Sequence, residues 1–272
     1  MPTLAEKARL FRALHEPGRP LLLPNAWDVA SARVIAAAGA AAIATTSAGV
    51  AWSLGFGDGG HLDRPRALQA IARIAAAVDV PVTADIEGGF ADEPEGVAET
   101  IEGVLEAGAV GVNLEDSLRP AGQQAKRIAA ARAAADAAGV PLFLNARIDT
   151  HRLPGADRAE WLHETLTRAV AYVEAGADGV FVLGVLDAAS VTALAGAVPV
   201  PVNVLIGPRT LPVPALAQAG AARISAGSSI AEAAYGLAAR AAQEMLADGT
   251  AQALAGGLDY AALNALLLSP AP

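Results

Sequence analysis

Three short stretches of this 272-residue chain carry acids, amides and one arginine at alternating positions: Asp85-Ile86-Glu87, Asn113-Leu114-Glu115 and Asn145-Ala146-Arg147. In an extended strand, alternate side chains share a face. Asp85 then stands with Glu87, Asn113 with Glu115, and Asn145 with Arg147. On neighbouring strands these pairs would send three carboxylates and a guanidinium toward one mouth. Clustered carboxylates repel one another unless a cation neutralises them. Hard oxygen donors of this kind suit Mg2+ or Mn2+, held by a few carboxylates together with water and substrate. Arg147 offers a planar fork that grips a carboxylate or phosphonate bidentately. The same residues would also serve as a structural salt-bridge network.

Other polar residues divide between chemistry and structure. Ser225-Ala226-Gly227-Ser228-Ser229 would cradle a phosphate at a strand-to-helix junction, or simply cap the helix. Asp79, Asp157 and Asp178 read as turn or capping residues. His15, His61, His151 and His163 lack metal-ligand spacing and read as surface or packing residues. The pair Lys126-Arg127 reads as a solvated helix face. Lys7 and Lys126 are the only lysines, and neither falls on an expected strand. A Schiff-base or pyridoxal-phosphate barrel needs a buried lysine, so that chemistry is excluded. Metal-assisted stabilisation of an enolate-like anion remains.

These residues need a scaffold that presents strand ends together, and a repeat supplies one. Pro20, Pro81, Pro141 and Pro201 lie 61, 60 and 60 residues apart. Each leads into an apolar run: Leu21–Pro24, Val82–Ile86, Leu142–Ala146 and Val202–Ile206. Ala-Gly-Ala at Ala38–Ala40, Ala107–Ala109, Ala175–Ala177 and Ala219–Ala221 precedes four more: Ala41–Thr45, Val110–Leu114, Gly179–Leu183 and Ala222–Ser225. Gly ends a helix in the left-handed conformation, and Pro opens the next strand. Helical patterns lie between, at Pro65–Val78, Gly96–Glu106, Arg127–Ala138, Ala159–Glu174 and Ala188–Ala195. Eight strands alternating with helices imply parallel βαβ units, and eight units close into an α/β (β/α)8 TIM barrel. An open doubly wound sheet is the alternative, although no Gly-x-Gly-x-x-Gly follows the first strand. The expected architecture is one domain over 1–272. Its barrel runs from about 20 to 238, with an extra N-terminal helix across the bottom. C-terminal helices in 239–272 are open to exchange between subunits. In such barrels chemistry sits at the C-terminal strand ends, where the acids, amides and arginine fall.

Composition narrows the partners. The 28 acidic residues outnumber the 19 basic ones for a net charge of −9, so no basic footprint for nucleic acid exists. The chain has no cysteine, which excludes disulfides, thiolate metal sites and a cysteine nucleophile. Its first 18 residues carry several charges and no apolar signal region. No uncharged apolar stretch is long enough for a membrane span. A cytoplasmic location is expected.

Several stretches together resemble the isocitrate lyase/phosphoenolpyruvate mutase superfamily, from Leu22 to about Ala238. They are PNAWDVASARV (24–34), TTSAGVAWSLGFGD (45–58), TADIEGGF (83–90), GVNLED (111–116), NARID (145–149), PVNVL (201–205) and RISAGSS (223–229). The resemblance implies Asp85 as a direct metal ligand, with Glu87 and Glu115 binding the metal through waters. It implies that Thr45, Thr46, Ser47 and Ala48 form a loop whose backbone N–H groups bind a substrate carboxylate. Asp58 is similar to an aspartate near the 2-oxo group, Arg147 to the substrate-gripping arginine, and Asn203 to an asparagine on a distal carboxylate. Asp58, Glu115 and Arg147 would carry the chemistry. Asp85 would bind both substrate and Mg2+ (or Mn2+).

Two departures bear on the reaction. The lyase branch carries a Cys-containing gating loop after its Glu-Asp pair; here that region reads Ser117-Leu118-Arg119-Pro120-Ala121-Gly122-Gln123-Gln124. The mutase branch has Lys and Asn in that loop and His on strand 6, where Ser117, Gly122 and Leu183 stand. The expected function is an Mg2+-dependent lyase that cleaves or decarboxylates a C–C bond of a small 2-oxo acid through a metal-stabilised enolate. Alternatives are a phosphonopyruvate hydrolase or mutase-like enzyme, or a non-catalytic binder of 2-oxo dicarboxylates such as 2-oxoglutarate. The resemblance also implies a homo-oligomer, a dimer of dimers.

Overall fold

The computed structural model describes residues 2–16, 18–155, 157–184 and 186–269. Its helices and strands alternate in chain order. The strands are β1 (Leu21–Leu23), β2 (Asn25–Ala26), β3 (Ile43–Thr45), β4 (Val82–Asp85), β5 (Gly111–Glu115), β6 (Phe143–Ile148), β7 (Gly179–Val182), β8 (Val202–Leu205) and β9 (Ala221–Ser225). The helices are α1 (Leu4–Ala13), α2 (Val29–Ala37), α3 (Ser47–Ser53), α4 (Arg64–Ala76), α5 (Pro94–Glu106), α6 (Ala121–Ala137), α7 (Arg158–Glu174), α8 (Ala188–Ala197), α9 (Val213–Gln218), α10 (Ser229–Asp248) and α11 (Tyr260–Leu268).

All strand pairs are parallel, in the order β1-β9-β8-β7-β6-β5-β4-β3-β2. The expected first strand is split at Pro24, which has no backbone donor. Its first half, β1, pairs with β9, and its second half, β2, pairs with β3. One interrupted segment thus closes the sheet into the expected α/β barrel. The interior and the helix–sheet layer are lined by Val, Ile, Leu and Ala, forming one large core cluster.

Helix α1 plugs the barrel bottom, as expected of the N-terminal segment. Thr3 and Glu6 cap it reciprocally, and Phe11 is fully buried. Phe11 meets Phe143 edge-on at 5.6 Å, and His15 stacks on Phe143 at 4.1 Å. His15 is therefore a packing residue, held neutral because burial, with Arg223 nearby, pushes its pKa down to about 4.

Several sequence expectations change. Helix α6 starts at Ala121 rather than Arg127, so most of 117–127 is helix and only 117–120 is loop. Arg127 is not on a solvated face. It is buried at 2% exposure and donates to the carbonyls of Gly88 and Asp92 and to Gln124 Oε1. The i, i+3 spacing of Gln124 and Arg127 turns both toward the sheet. Asp178 is an ion-pair hub for Arg12 and Arg132 rather than a simple turn residue, whereas Asp157 does cap α7. Helix α10 runs through the expected barrel–tail boundary at 238. Helix α11 returns to α2 of the same chain, where Arg33 donates to the Ser269 carbonyl and hydroxyl at 3.0 and 2.8 Å. Among the described residues, no helix is long and apolar enough to cross a membrane.

Candidate active site

The C-terminal ends of β3 to β6 build a charged mouth. Asp85 ends β4, and its backbone N–H donates to Thr45 Oγ1 at 2.9 Å, tying the ends of β3 and β4 together. Beyond it the chain turns sharply. Glu87 takes φ +48, and its N–H donates to Asp85 Oδ1 at 3.1 Å. A positive φ at a non-glycine residue stores strain that its surroundings must hold. Here Arg127 grips Gly88 O from one side, and the Glu87 carboxylate accepts from Gly60 N–H at 2.5 Å on the other. Thr45, Ser47, Asp85 and Glu87 line one small cavity. Glu87 and Glu115 also line an adjoining cavity of about 610 Å3 with Ser117, Arg119 and Arg152.

Glu115 ends β5 directly opposite Arg147 of β6. Its Oε2 lies 2.7 Å from Arg147 Nη1, and its Oε1 accepts from Ser117 Oγ at 2.7 Å. Asp149, fully buried, takes Arg147 Nε at 2.8 Å and Nη2 at 3.3 Å. Asp149 was not foreseen as a site residue, although the NARID motif contains it. Beneath it lies Asp116, also fully buried. Its Oδ1 accepts from the Asp149 and Leu118 N–H groups, each at 3.1 Å. Its Oδ2 accepts from Arg168 and Tyr172, each at 2.8 Å. Arg168 and Tyr172 come from one face of α7, four residues apart, a relation invisible without tertiary structure.

Acidic charge is in excess here. Burial pushes the Asp85 carboxyl up to about 6; Asp58 and Glu87 add to this, and Arg147 opposes it. Burial also raises Glu87 and Glu115, with further repulsion from Asp58 and Glu115 on the first and from Asp85 and Asp149 on the second. Burial alone would weaken the Arg147 cation, but Glu115, Asp85 and Asp149 outweigh it and keep it charged. Three carboxylates thus draw on one guanidinium, a deficit of positive charge that a divalent cation fits. Asp85, Glu87 and Glu115 surround the mouth without closing into a cage: among the described residues, no three His, Asp or Glu side chains converge enough to hold a metal alone. That arrangement suits an ion whose remaining ligands are water and substrate.

The expected loop 45–49 is largely helical. Thr45 ends β3, Thr46 is the N-cap of α3, and Ser47 to Gly49 form its first turn. Thr46 makes no side-chain cap. The first intrahelical donor is Val50, so the N–H groups of Ser47, Ala48 and Gly49 have no helical acceptor. Such groups favour an anion. Gly49 permits this placement, because a Cβ there would meet Trp27 Cβ and Thr46 Cγ2 at 2.8 Å. Asp58 is exposed on the following loop and acts on Asp85 and Glu87 through charge.

Asn203 does not reach the mouth. It is fully buried in an amide layer inside the barrel, one pleat below Glu115 and Arg147. Asn145 Nδ2 donates to Asn113 Oδ1 at 2.8 Å and to Asn203 Oδ1 at 3.0 Å, and Asn203 Nδ2 donates to Ser225 Oγ at 3.1 Å. The expected substrate contact is thus engaged in internal bonds. Arg223 Nη2 joins the layer at Asn113 Oδ1, 3.1 Å away. The Arg223 guanidinium is 1% exposed and lies over Phe11; burial lowers it to about 9 against the attraction of Asp85. Asn25 is likewise structural, accepting from Ala226 and Gly227 N–H at 3.0 and 2.8 Å. That contact orders the turn between β9 and α10.

A phosphoenolpyruvate phosphomutase family model matches residues 11–246 of this chain. The chain belongs to the isocitrate lyase/phosphoenolpyruvate mutase superfamily. An uncharacterized protein of Mycobacterium tuberculosis is 40% identical over 273 residues, spanning 95% of this chain and 96% of its own. The 2-methylisocitrate lyase of Escherichia coli is 31% identical over 212 residues, 74% of this chain and 70% of that protein. A crystal structure from Burkholderia cenocepacia J2315, provisionally described as a lyase/mutase, superposes with a TM-score of 0.91 at 41% identity. It covers 98% of each chain. The superfamily is one of enzymes, lyases and mutases among them.

Proposed function

We propose that this protein is a divalent-cation-dependent lyase that cleaves or decarboxylates a C–C bond of a small 2-oxo acid or a related dicarboxylate. The observation carrying this reading is the excess of partly buried carboxylates around a single guanidinium, set beside the open first turn of α3. Asp85 would hold Mg2+ or Mn2+, with Glu87 and Glu115 on its waters. When bound, the cation supplies Lewis-acid stabilisation of negative charge developing on the 2-oxo oxygen. The N–H groups of Ser47, Ala48 and Gly49 bind the neighbouring carboxylate. Arg147, held in plane by Asp149 and Glu115, keeps two of its N–H groups for a second acidic oxygen. As the bond breaks, its electron pair moves toward the 2-oxo carbon side, and water returns the proton at carbon. No cysteine acid is needed for decarboxylation.

The test is one NMR time course on oxaloacetate, 2-methylisocitrate and phosphonopyruvate with Mg2+, with EDTA, and with Asp85→Ala. Metal-dependent loss of one compound, lost in the variant, supports the reading. Removing one such electrostatic stabiliser commonly costs about 10²–10³-fold in turnover. Full activity in Asp85→Ala would sink the assignment. A second reading, hydrolysis or rearrangement at a C–P bond, is favoured by the family model that matches the chain. Release of inorganic phosphate from phosphonopyruvate would support it.

A further inference from the structure

One cation lies inside the barrel, beneath the charged mouth, with no acid of its own. Arg223 projects from β9, opposite Asn203 on β8. Its side chain crosses the interior to β5, four strands away, where Nη2 donates to Asn113 Oδ1 at 3.1 Å. Asn113 stands beside Asp85 in the register of β5 and β4. The guanidinium therefore ends against the residue that flanks the carboxylate expected to hold the metal.

A buried guanidinium ordinarily finds an acid and fills its N–H groups. Arg223 is 1% exposed, and its Nε and Nη1 have no partner among the described residues. The acids Glu115 and Asp149 both pair with Arg147 instead. Below Arg223 lie neutral groups, the Phe11 ring at 5.8 Å and His15, which Arg223 helps to keep unprotonated. Desolvation lowers the Arg223 pKa to about 9 against the attraction of Asp85, so the group stays charged at neutral pH. Nothing beside it offsets the cost of burying this charge, and the acid that attracts it belongs to the mouth. Asn113, Asn145 and Asn203, all buried, form the layer between, so water does little to screen the field.

We propose that Arg223 is a positioning residue for the mouth: its charge weakens divalent-cation binding at Asp85 and strengthens binding of the anionic 2-oxo acid. This rests on the reading of the mouth as a cation and 2-oxo acid site. The two effects have opposite signs because one positive charge repels Mg2+ and attracts a carboxylate or an enolate-like oxygen.

Calorimetric titration of the full chain near neutral pH tests it, first with Mg2+ and then with pyruvate at saturating Mg2+. Arg223→Met and Arg223→Gln both remove the charge. In each, Asn113 Oδ1 keeps the Asn145 donor at 2.8 Å, so that acceptor is not orphaned. Should the Met variant fail to fold, the Gln variant, which still offers Asn113 a donor, carries the test. The expected result is Mg2+ bound at least about tenfold more tightly and pyruvate at least about tenfold more weakly than in the unaltered chain. A merely structural role would weaken both ligands together. That result overturns this inference, as does an affinity for either ligand within about twofold of the unaltered chain's, and both leave the reading of the mouth intact. Failure of the unaltered chain to bind Mg2+ or pyruvate overturns the reading of the mouth and this inference with it.

Discussion

Replacing Asp116 by Asn removes one buried negative charge while keeping the side-chain shape and an acceptor for the Asp149 and Leu118 N–H groups. Asp116 is fully buried, and its partner Arg168 has a side chain only 7% exposed. Breaking a buried ion pair from one side costs about 3–5 kcal/mol, because the other charge is left without compensation. Arg168 retains Glu164 at 2.7 Å and the Arg119 carbonyl at 2.7 Å, which places the expected loss at the lower end, about 3 kcal/mol. For a chain of this size that lowers Tm by roughly 6–12 °C. Urea denaturation and calorimetry measure it, and a double-mutant cycle with Arg168→Met isolates the pair. With both charges gone, the double variant should be less destabilised than the sum of the single changes. An Asp116→Asn loss below about 1 kcal/mol, or strict additivity in the cycle, would refute the view that this ion pair braces the site. Asp116→Ala goes further by releasing Leu118 and Asp149, and with them the orientation of Arg147. It should therefore lower turnover as well as stability.

Asp85 predicts a pH effect. Its folded pKa of about 6 lies above the ordinary value of 3.8, so its stabilising contribution is present below about pH 4 and lost as pH rises through 6. Asp85→Asn should then be more stable than the unaltered chain at pH 7.5 without divalent cation, by about 1–2 kcal/mol after allowing for partial exposure. That gap should close near pH 4; a gap independent of pH in urea titrations would refute the charge argument. His15 behaves in the opposite sense: its folded pKa is depressed to about 4 from 6.5, so its contribution is present above 6.5 and lost as pH falls through 4. His15→Phe should flatten the acid limb of the stability profile between those values; an unchanged limb counts against burial of a neutral ring. Arg127→Met leaves the Gly88 and Asp92 carbonyls without their donor and should cost about 2–4 kcal/mol. Hydrogen exchange should quicken over residues 87–92, and unchanged exchange there would show that Arg127 does not hold the Glu87 turn.

Much of the barrel was legible because its signals are local. Proline before four of the strands and Ala-Gly-Ala before the other four mark element boundaries through backbone conformation alone. Alternation along β4, β5 and β6 orders Asp85, Glu115 and Arg147 toward one face. Asn203 shows where that reasoning stops. Alternation and resemblance place Asn203 on the inward face but do not reveal its partners, and in the fold its amide is spent on Asn145, Ser225 and the Arg223 carbonyl. Arg127 shows a second limit. A charged residue beside a lysine resembles a solvated face, until the carbonyls of Gly88 and Asp92 appear beneath it as partners.

The sequence alone determined the order of strands and helices, the acids and arginine of the mouth, and the shortage of lysine and cysteine that narrows its chemistry. Only the tertiary structure decided how those charges are braced, because Asp116, Arg168 and Tyr172 meet across more than fifty residues. It also decided that Asn203 stays inside the barrel, bonded to Asn145 and Ser225. Both depend on register and helix packing, which arise from contacts between distant segments and leave no periodic trace along the chain.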